Sequence, residues 1–290
     1  VACATRPEPT WINIQPNAND FWFGVGTVAK PFYGEDIREG ARSKALSEIT
    51  SQISVELSSS FERVVTEENL SLREFSQSVI KTRVNQNLSN IEIVDFYESK
   101  DRYYLLARLS QSKYYETIKT QRENAVQSAI GLLNKAQSEF TKQSFSLIGE
   151  AMHELTPYMD VPIEIEFPLH SGRTINLYSF LKLTASEYIN RIKLISLNKE
   201  YEIKLGFSRK VEIEVQVIDS KTSKPLKNIP VIMAITGSED VAVMSSNSQG
   251  AVIFSLPRLN SKKNRQQLEF SVQMETLLGD SPLFGKLPTI

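Results

Sequence analysis

The fold of the first third of the chain is decided by the nine residues FWFGVGTVA at Phe21–Ala29. Aromatic and β-branched side chains dominate this stretch, as is typical of a β-strand, and Pro31 prevents the strand from continuing. Its second half also has the G-x-G-x-x-A spacing of dinucleotide-binding loops, but that motif requires a helix that begins at the glycines. Because Lys30–Gly34 delays any helix, the sequence favours a structural interpretation, in which Gly24 and Gly26 let the strand bend or pack closely against a neighbour.

A helix is predicted to follow this strand, starting near Asp36. Its length should be about four to five turns, and its narrow, alanine-rich apolar stripe suits close packing on a sheet. After the helix, apolar and polar residues alternate, so we predict a half-buried strand at Val55–Val65. Leu70–Val84 fits no single element. The apolar positions that define the helix are Ile37, Ala41, Ala45, Leu46, Ile49 and Ile53.

A β-hairpin is predicted from the strands Ile91–Tyr97 and Tyr103–Leu109. The order of strand, helix, strand, variable segment and two strands resembles the LPP-twenty family of bacterial outer-membrane lipoproteins, which also occurs as a module in flagellar-collar and other envelope proteins. The resemblance implies an α+β module with an antiparallel sheet at residues 21–112. The residues that carry it are Gly24-Val25-Gly26, Ala41–Ile49, Val55–Phe61 and Tyr103–Ala107.

The single cysteine, Cys3, is the predicted lipidation site. One cysteine excludes an internal disulfide. The pair Val1-Ala2 before it is typical of a bacterial lipobox, although an arbitrary cut that left a stray cysteine would give the same sequence. Residues 1–20 then form a tether to a lipid bilayer, and we expect the protein in the outer membrane, on its periplasmic or surface face.

The rest of the chain is predicted to change from helices to strands. Residues 113–156 read as a helical hairpin, residues 157–198 as an α+β connector with a helix at Ile175–Ile189, and residues 199–290 as an all-β sandwich. The last segment resembles immunoglobulin-like and transthyretin-like modules of bacterial surface proteins. The predicted strands after the helix are Ile192–Ser196, Glu202–Phe207, Val211–Val217, Ile229–Ile235, Val241–Ser245, Ala251–Leu256 and Leu268–Met274.

Candidate chemistry is sparse in the sequence. The 33 basic and 34 acidic residues give a net charge of −1, which argues against nucleic acid as the main partner. His153 and His170 have no second histidine or cysteine at metal-ligand spacing, so we expect no metal and no cofactor. Glu164 and Glu166 share one side of a predicted strand, where solvation is favoured over cation binding. The basic loop Lys262–Arg265 could meet anionic lipid or glycan.

Five tyrosines around the hairpin are the candidate partner-facing residues, because tyrosine is favoured where a surface meets a partner, with core packing as the alternative. No nucleophile, base and orienting group can be assembled, so we expect no enzymatic activity. The sequence therefore predicts a non-enzymatic envelope lipoprotein that contacts a protein partner or cell-wall glycan; the alternative is a small-ligand or glycan-binding envelope protein. The five residues are Tyr97, Tyr103, Tyr104, Tyr114 and Tyr115.

Overall fold

The computed structural model divides into two compact units. One comprises Val1–Val126 and Leu155–Pro162, and the other comprises Gln127–Glu154 and Ile163–Ile290. The predicted division into five segments stays a prediction. The structure describes residues 6–30, 36–67, 80, 83, 90–167, 172–198, 200–201, 211–236, 241–256 and 267–278.

The first unit is built on a three-stranded antiparallel sheet with the order β1-β3-β2. The long helix α1 packs on β1 and β3. The predicted first strand and the predicted hairpin are confirmed; the first hairpin strand is shifted by one residue, and the second extends one residue further at each end. The elements are β1 (Phe21–Ala29), α1 (Ile37–Glu67), β2 (Glu92–Glu98) and β3 (Arg102–Ser110), followed directly by α2 (Gln111–Ser138).

The predicted strand at Val55–Val65 is wrong, because this stretch continues α1. The alternation that suggested a strand is incidental, since Val55 is 67% exposed. The stripe that decides the structure recurs every fourth residue, the spacing of one helical face. It runs through six buried side chains, namely Ala41, Ala45, Ile49, Ile53, Leu57 and Phe61.

Close packing between β1 and α1 depends on the two glycines of β1. A Cβ atom on Gly26 would lie 1.7 Å from the carbonyl oxygen of Ala41, and one on Gly24 would lie 2.1 Å from that of Ala45. The backbones of strand and helix therefore approach more closely than any side chain on the strand would permit. The prediction that the glycines serve close packing is confirmed.

Side chains of α1 also occupy the outer edge of β1. The Lys44 ammonium donates to the carbonyl oxygen of Thr27 at 2.8 Å, and the Gln52 amide donates to that of Phe23 at 2.7 Å. Between them, the Glu48 carboxylate accepts the backbone N–H of Val25. These three side chains follow each other at intervals of one helical turn, and they bond the edge groups that another strand would otherwise use.

The second unit contains two three-stranded antiparallel sheets, with the orders β10-β7-β6 and β11-β8-β9. The predicted mixture of helices and antiparallel sheets is confirmed. Glu202–Phe207 lies outside the described residues, and Met274 begins a short helix rather than ending a strand. The elements are α3 (Lys142–Leu155), β4 (Glu164–Glu166), β5 (Thr174–Asn176), α4 (Leu177–Arg191), β6 (Ile192–Ser196), β7 (Glu212–Asp219), β8 (Pro230–Ile235), β9 (Val241–Ser245), β10 (Ala251–Ser255), β11 (Leu268–Val272) and α5 (Met274–Leu278).

Arg191, at the end of α4, joins three elements of this second unit. Its guanidinium forms two hydrogen bonds with the Asp219 carboxylate, at 3.0 and 2.7 Å, and lies 3.9 Å above the Phe140 ring centroid. Its carbonyl oxygen accepts the N–H of Ser220 at 2.7 Å. The Asp219 side chain is only 3% exposed, so Arg191 neutralises a buried carboxylate.

Among the helices that the structure describes, none has the length and apolar character needed to cross a membrane.

Candidate interaction surface

Two of the five candidate tyrosines belong to the core of the first unit. Tyr103 and Tyr114 are buried, and the ring of Tyr114 packs edge-on against Trp22 with the centroids 5.3 Å apart. Tyr103 occupies a position of β3 on the face that α1 covers, as do Leu105 and Ala107. These two side chains are therefore not partner-facing, because alternation along β3 and the first turn of α2 direct them inward.

The other three candidates are at least partly accessible. Tyr97 and Tyr104 form a cross-strand pair with ring centroids 6.2 Å apart, and both are half-buried. Tyr115 packs against Trp22, and its hydroxyl donates to the Glu56 carboxylate. Burial, together with this hydrogen bond, raises the pKa of Tyr115. A partner-facing role for these three tyrosines stays a prediction.

Three neighbouring apolar side chains of the first unit are exposed on β2. Ile93 is 54% exposed, Phe96 is 53% exposed and Val94 is 44% exposed. We call these three residues the β2 rim. A β-bulge between Ile93 and Asp95 places Val94 out of register with β3, and the Phe96 ring stacks on Tyr103 with a centroid distance of 6.1 Å. The adjacent apolar pair Ile93-Val94 was a sequence signal for this break in alternation.

The N-terminal segment is fastened to β2 through Asp95. The Arg6 guanidinium donates to both oxygens of the Asp95 carboxylate, at 3.1 and 2.7 Å, and the Trp11 indole N–H donates to it at 3.0 Å. Arg6 also donates to the carbonyl oxygen of Phe96 at 3.2 Å. The hydrogen bond from Arg6, supported by the one from Trp11, lowers the pKa of Asp95. Sequence reasoning missed this cluster, because its members lie far apart in the chain.

Replacing Asp95 with alanine is expected to release the N-terminal segment from β2. Trp11 would then become more accessible to acrylamide, which quenches tryptophan fluorescence on contact, while the buried Trp22 would remain protected. The matched control is Glu92→Ala, because Glu92 lies on the same strand but pairs with Arg108 and Lys113. Equal quenching of wild type and the Asp95 variant would show that the carboxylate does not hold the segment.

The remaining candidate residues do not converge on a site. His153 is exposed on α3, and His170 and Lys262–Arg265 lie outside the described residues. Glu164 and Glu166 are both exposed, and Glu166 accepts the N–H of Gly172 at 2.6 Å. Within the described part of the chain, no three histidine, cysteine, aspartate or glutamate side chains are grouped so that they could hold a metal ion.

Part of the first unit matches the sequence model of a known family. Residues 9–110 match the family model described as LPP20 lipoprotein. The LPP20 match covers β1, α1, β2 and β3, and it includes Trp11 and Asp95 but not Arg6. It starts shortly after Cys3 in the sequence. It supports the family predicted for the N-terminal module and, at that level, a lipoprotein of the bacterial envelope.

Two other comparisons add little. Among solved structures, the chain is similar to the secreted protein HP1454 from the human pathogen Helicobacter pylori, at 17% sequence identity and a TM-score of 0.30. The similarity covers 57% of this chain and 60% of that one, and a score this low carries no argument about either fold or function. No curated protein matches the chain.

Proposed function

We propose that the protein is a non-enzymatic lipoprotein of the outer membrane, anchored through an acylated Cys3, and that it acts by contacting another envelope protein. The observation that carries this proposal is the LPP20 lipoprotein match at residues 9–110, immediately downstream of the one cysteine in the chain. Bacterial lipoproteins carry their lipid on a cysteine thiol, and Cys3 is the one cysteine of the sequence.

The anchor is joined to the module by a short path. Arg6 follows Cys3 by three residues and is already bonded to β2 through Asp95. An acyl group on Cys3 would therefore hold the LPP20 module close to the bilayer, because only residues 4 and 5 separate the lipid-bearing cysteine from the fastened segment.

The β2 rim supports the contact role. Ile93, Val94 and Phe96 are large apolar side chains that β2 leaves exposed, and aromatic side chains such as that of Phe96 are enriched at protein interfaces. The ion pair Lys30–Glu98 lies on the same face of the sheet as Phe96, because Glu98 follows Phe96 by two residues on β2. Glu92 and Asp95 face the other side, so in the ranges that the structure describes the exposed apolar side chains of Ile93 and Phe96 are bordered by a single ion pair.

We also propose that β6 to β11 form an immunoglobulin-like sandwich that serves as a structural spacer. Ile213, Val215 and Val217 alternate with more exposed residues along β7 and are buried. Phe254 of one sheet lies 5.8 Å from Phe270 of the other, measured between ring centroids. Side chains that meet between two antiparallel sheets are typical of a sandwich.

Mass spectrometry of the protein isolated from its native membranes tests the anchor. We expect the peptide containing Cys3 to carry acyl chains, and the Cys3→Ser variant to leave the membrane fraction. The Thr5→Ala variant is the control and should stay with the membrane. An unmodified Cys3 thiol in membrane-derived protein would refute the proposed anchoring.

The contact role is tested separately with a photo-crosslinking amino acid. Placed at Ile93 in intact cells, it should give a discrete crosslinked product with an envelope protein. Placed at Leu183, an exposed position on α4, it should give none. Identical products from both positions, or none from Ile93, would contradict a partner at the β2 rim.

A further inference from the structure

Strand β9 is an exposed sheet edge without the protection seen elsewhere in the described chain. Val241 is 58% exposed, Met244 is 49% exposed and Val243 is 44% exposed, and none of the five residues of β9 is charged. Edge strands of this kind pair readily with further strands, and proteins usually prevent this pairing with charged side chains, bulges or a covering element. Among the described residues, none supplies such protection to β9.

The other edges of the three-stranded sheets differ from β9. The edge of β1 is bonded by Lys44, Glu48 and Gln52, and β2 is bulged and carries three acidic residues. Charged side chains also lie on β6 (Lys193) and β11 (Glu269). Strand β10 is uncharged, but most of its side chains belong to the core. Strand β9 therefore stands out as the edge suited to pairing.

The backbone groups of β9 that are directed away from β8 can be assigned from its register. Ser246, directly after the strand, bonds the β8 side through both its N–H and its carbonyl oxygen, to Ile229 and Asn228. Ser245 lies opposite Pro230, which has no N–H to offer. Backbone N–H and C=O groups alternate in direction along an antiparallel strand. The groups that point away from β8 are therefore those of Val241, Val243 and Ser245.

We propose that β9 pairs with β9 of a second copy of the chain, antiparallel and centred on Val243. In this register the three outward-directed residues of one copy meet those of the other, with Val243 opposite Val243 and Val241 opposite Ser245. The arrangement is two-fold symmetric and closed, as expected for a homodimer. It joins the two β11-β8-β9 sheets into one six-stranded sheet.

Charge favours a second copy as the occupant. Self-pairing of β9 brings no like charges together, because none of the five residues of the strand is charged. The same pairing of β2 around Asp95 would oppose Glu92 with Glu98 and would be destabilised. An uncharged strand also offers a charged partner no electrostatic gain.

Analytical ultracentrifugation of the Cys3→Ser variant tests for the dimer in the absence of the lipid. We expect a concentration-dependent monomer–dimer equilibrium, in the weak class because the pairing involves a short strand. Val243→Lys places two ammonium groups opposite each other and should raise the dimer Kd at least about tenfold. Leu183→Lys, the same kind of change at an exposed position on α4, should leave the Kd unchanged.

Disulfide formation tests the register. In the Cys3→Ser background, Val243→Cys should form an interchain disulfide under mild oxidation, because facing Cα atoms lie about 5.5 Å apart, within disulfide range. Val241→Cys should form no such disulfide, because Val241 of each copy lies opposite Ser245 of the other copy and the two introduced cysteines are far apart. A chain that stays monomeric at all concentrations, a dimer insensitive to Val243→Lys, or equal crosslinking at both positions would overturn the proposal. An unchanged thermal midpoint would show that each variant is folded.

Discussion

Gly26→Ala is expected to destabilise the first unit by at least about 3 kcal/mol, although it adds a single methyl group. The added Cβ would lie 1.7 Å from the carbonyl oxygen of Ala41, which belongs to the backbone of α1 and cannot rotate away. The helix would have to separate from β1, and the bonds of Lys44, Glu48 and Gln52 to the strand would be lost with it. Urea unfolding followed by tryptophan fluorescence measures the change, because Trp11 and Trp22 both lie in this unit.

Gly131→Ala is the matched control for this substitution. Gly131 lies inside α2, and a Cβ atom there would meet nothing within 4 Å. Alanine in a helix interior is favoured over glycine by about 1 kcal/mol, so this variant should be as stable as the wild type or slightly more so. Comparable destabilisation by both substitutions would show that close approach of α1 and β1 is not what requires Gly26.

Arg191→Met is expected to cost the second unit about 3–5 kcal/mol of unfolding free energy, the usual effect of removing one partner from a buried ion pair. The Asp219 carboxylate would remain buried with hydrogen bonds from Thr222 and Lys221 but without a cation. The cation–π contact between the Arg191 guanidinium and the Phe140 ring would also be lost. Chemical denaturation followed by circular dichroism reports the loss. Lys193→Met, at an exposed position two residues further on, should change stability by no more than about 0.5 kcal/mol.

The same ion pair predicts how stability depends on pH. The hydrogen bond from Arg191 lowers the pKa of Asp219 in the folded protein below its unfolded value. The resulting stabilisation is present above the unfolded pKa, about 3.9, and is lost as the pH falls toward the folded pKa. The stability difference between wild type and Asp219→Asn should therefore narrow as the pH drops from about 5 to 3. A constant difference over this range would contradict the assigned role of the carboxylate.

Much of the first unit could be predicted from the sequence. Aromatic and β-branched residues predict β1 and the hairpin, and the glycines of β1 indicate close packing against a neighbouring element. The prediction failed beyond Ile53, where serine-rich sequence hid a helical stripe of Leu57 and Phe61 behind an incidental alternation. The spacing of apolar residues alone does not distinguish a helix from a strand when the alternating run is short.

The surface features were less predictable, because they depend on the tertiary structure. Nothing in the local sequence links Arg6 or Trp11 to Asp95, since the pairing requires the N-terminal segment to lie beside β2. Burial of Tyr103 and Tyr114 likewise depends on which face of the sheet α1 covers. The exposure of β9 follows from its place at the edge of the sheet, and its sequence does not distinguish it from a short apolar strand in the middle of a sheet.

The pairing of β1 with β3 bears on how the chain folds. Phe21 pairs with Ser110, so the first strand of the module finds its sheet partner only after the intervening helix and hairpin have been synthesised. Contacts this distant in sequence slow folding, because the loop must close before the pairing is gained. A chain exported during synthesis would therefore reach the far side of the membrane with its first strand still unpaired, a state suited to passage through a narrow channel.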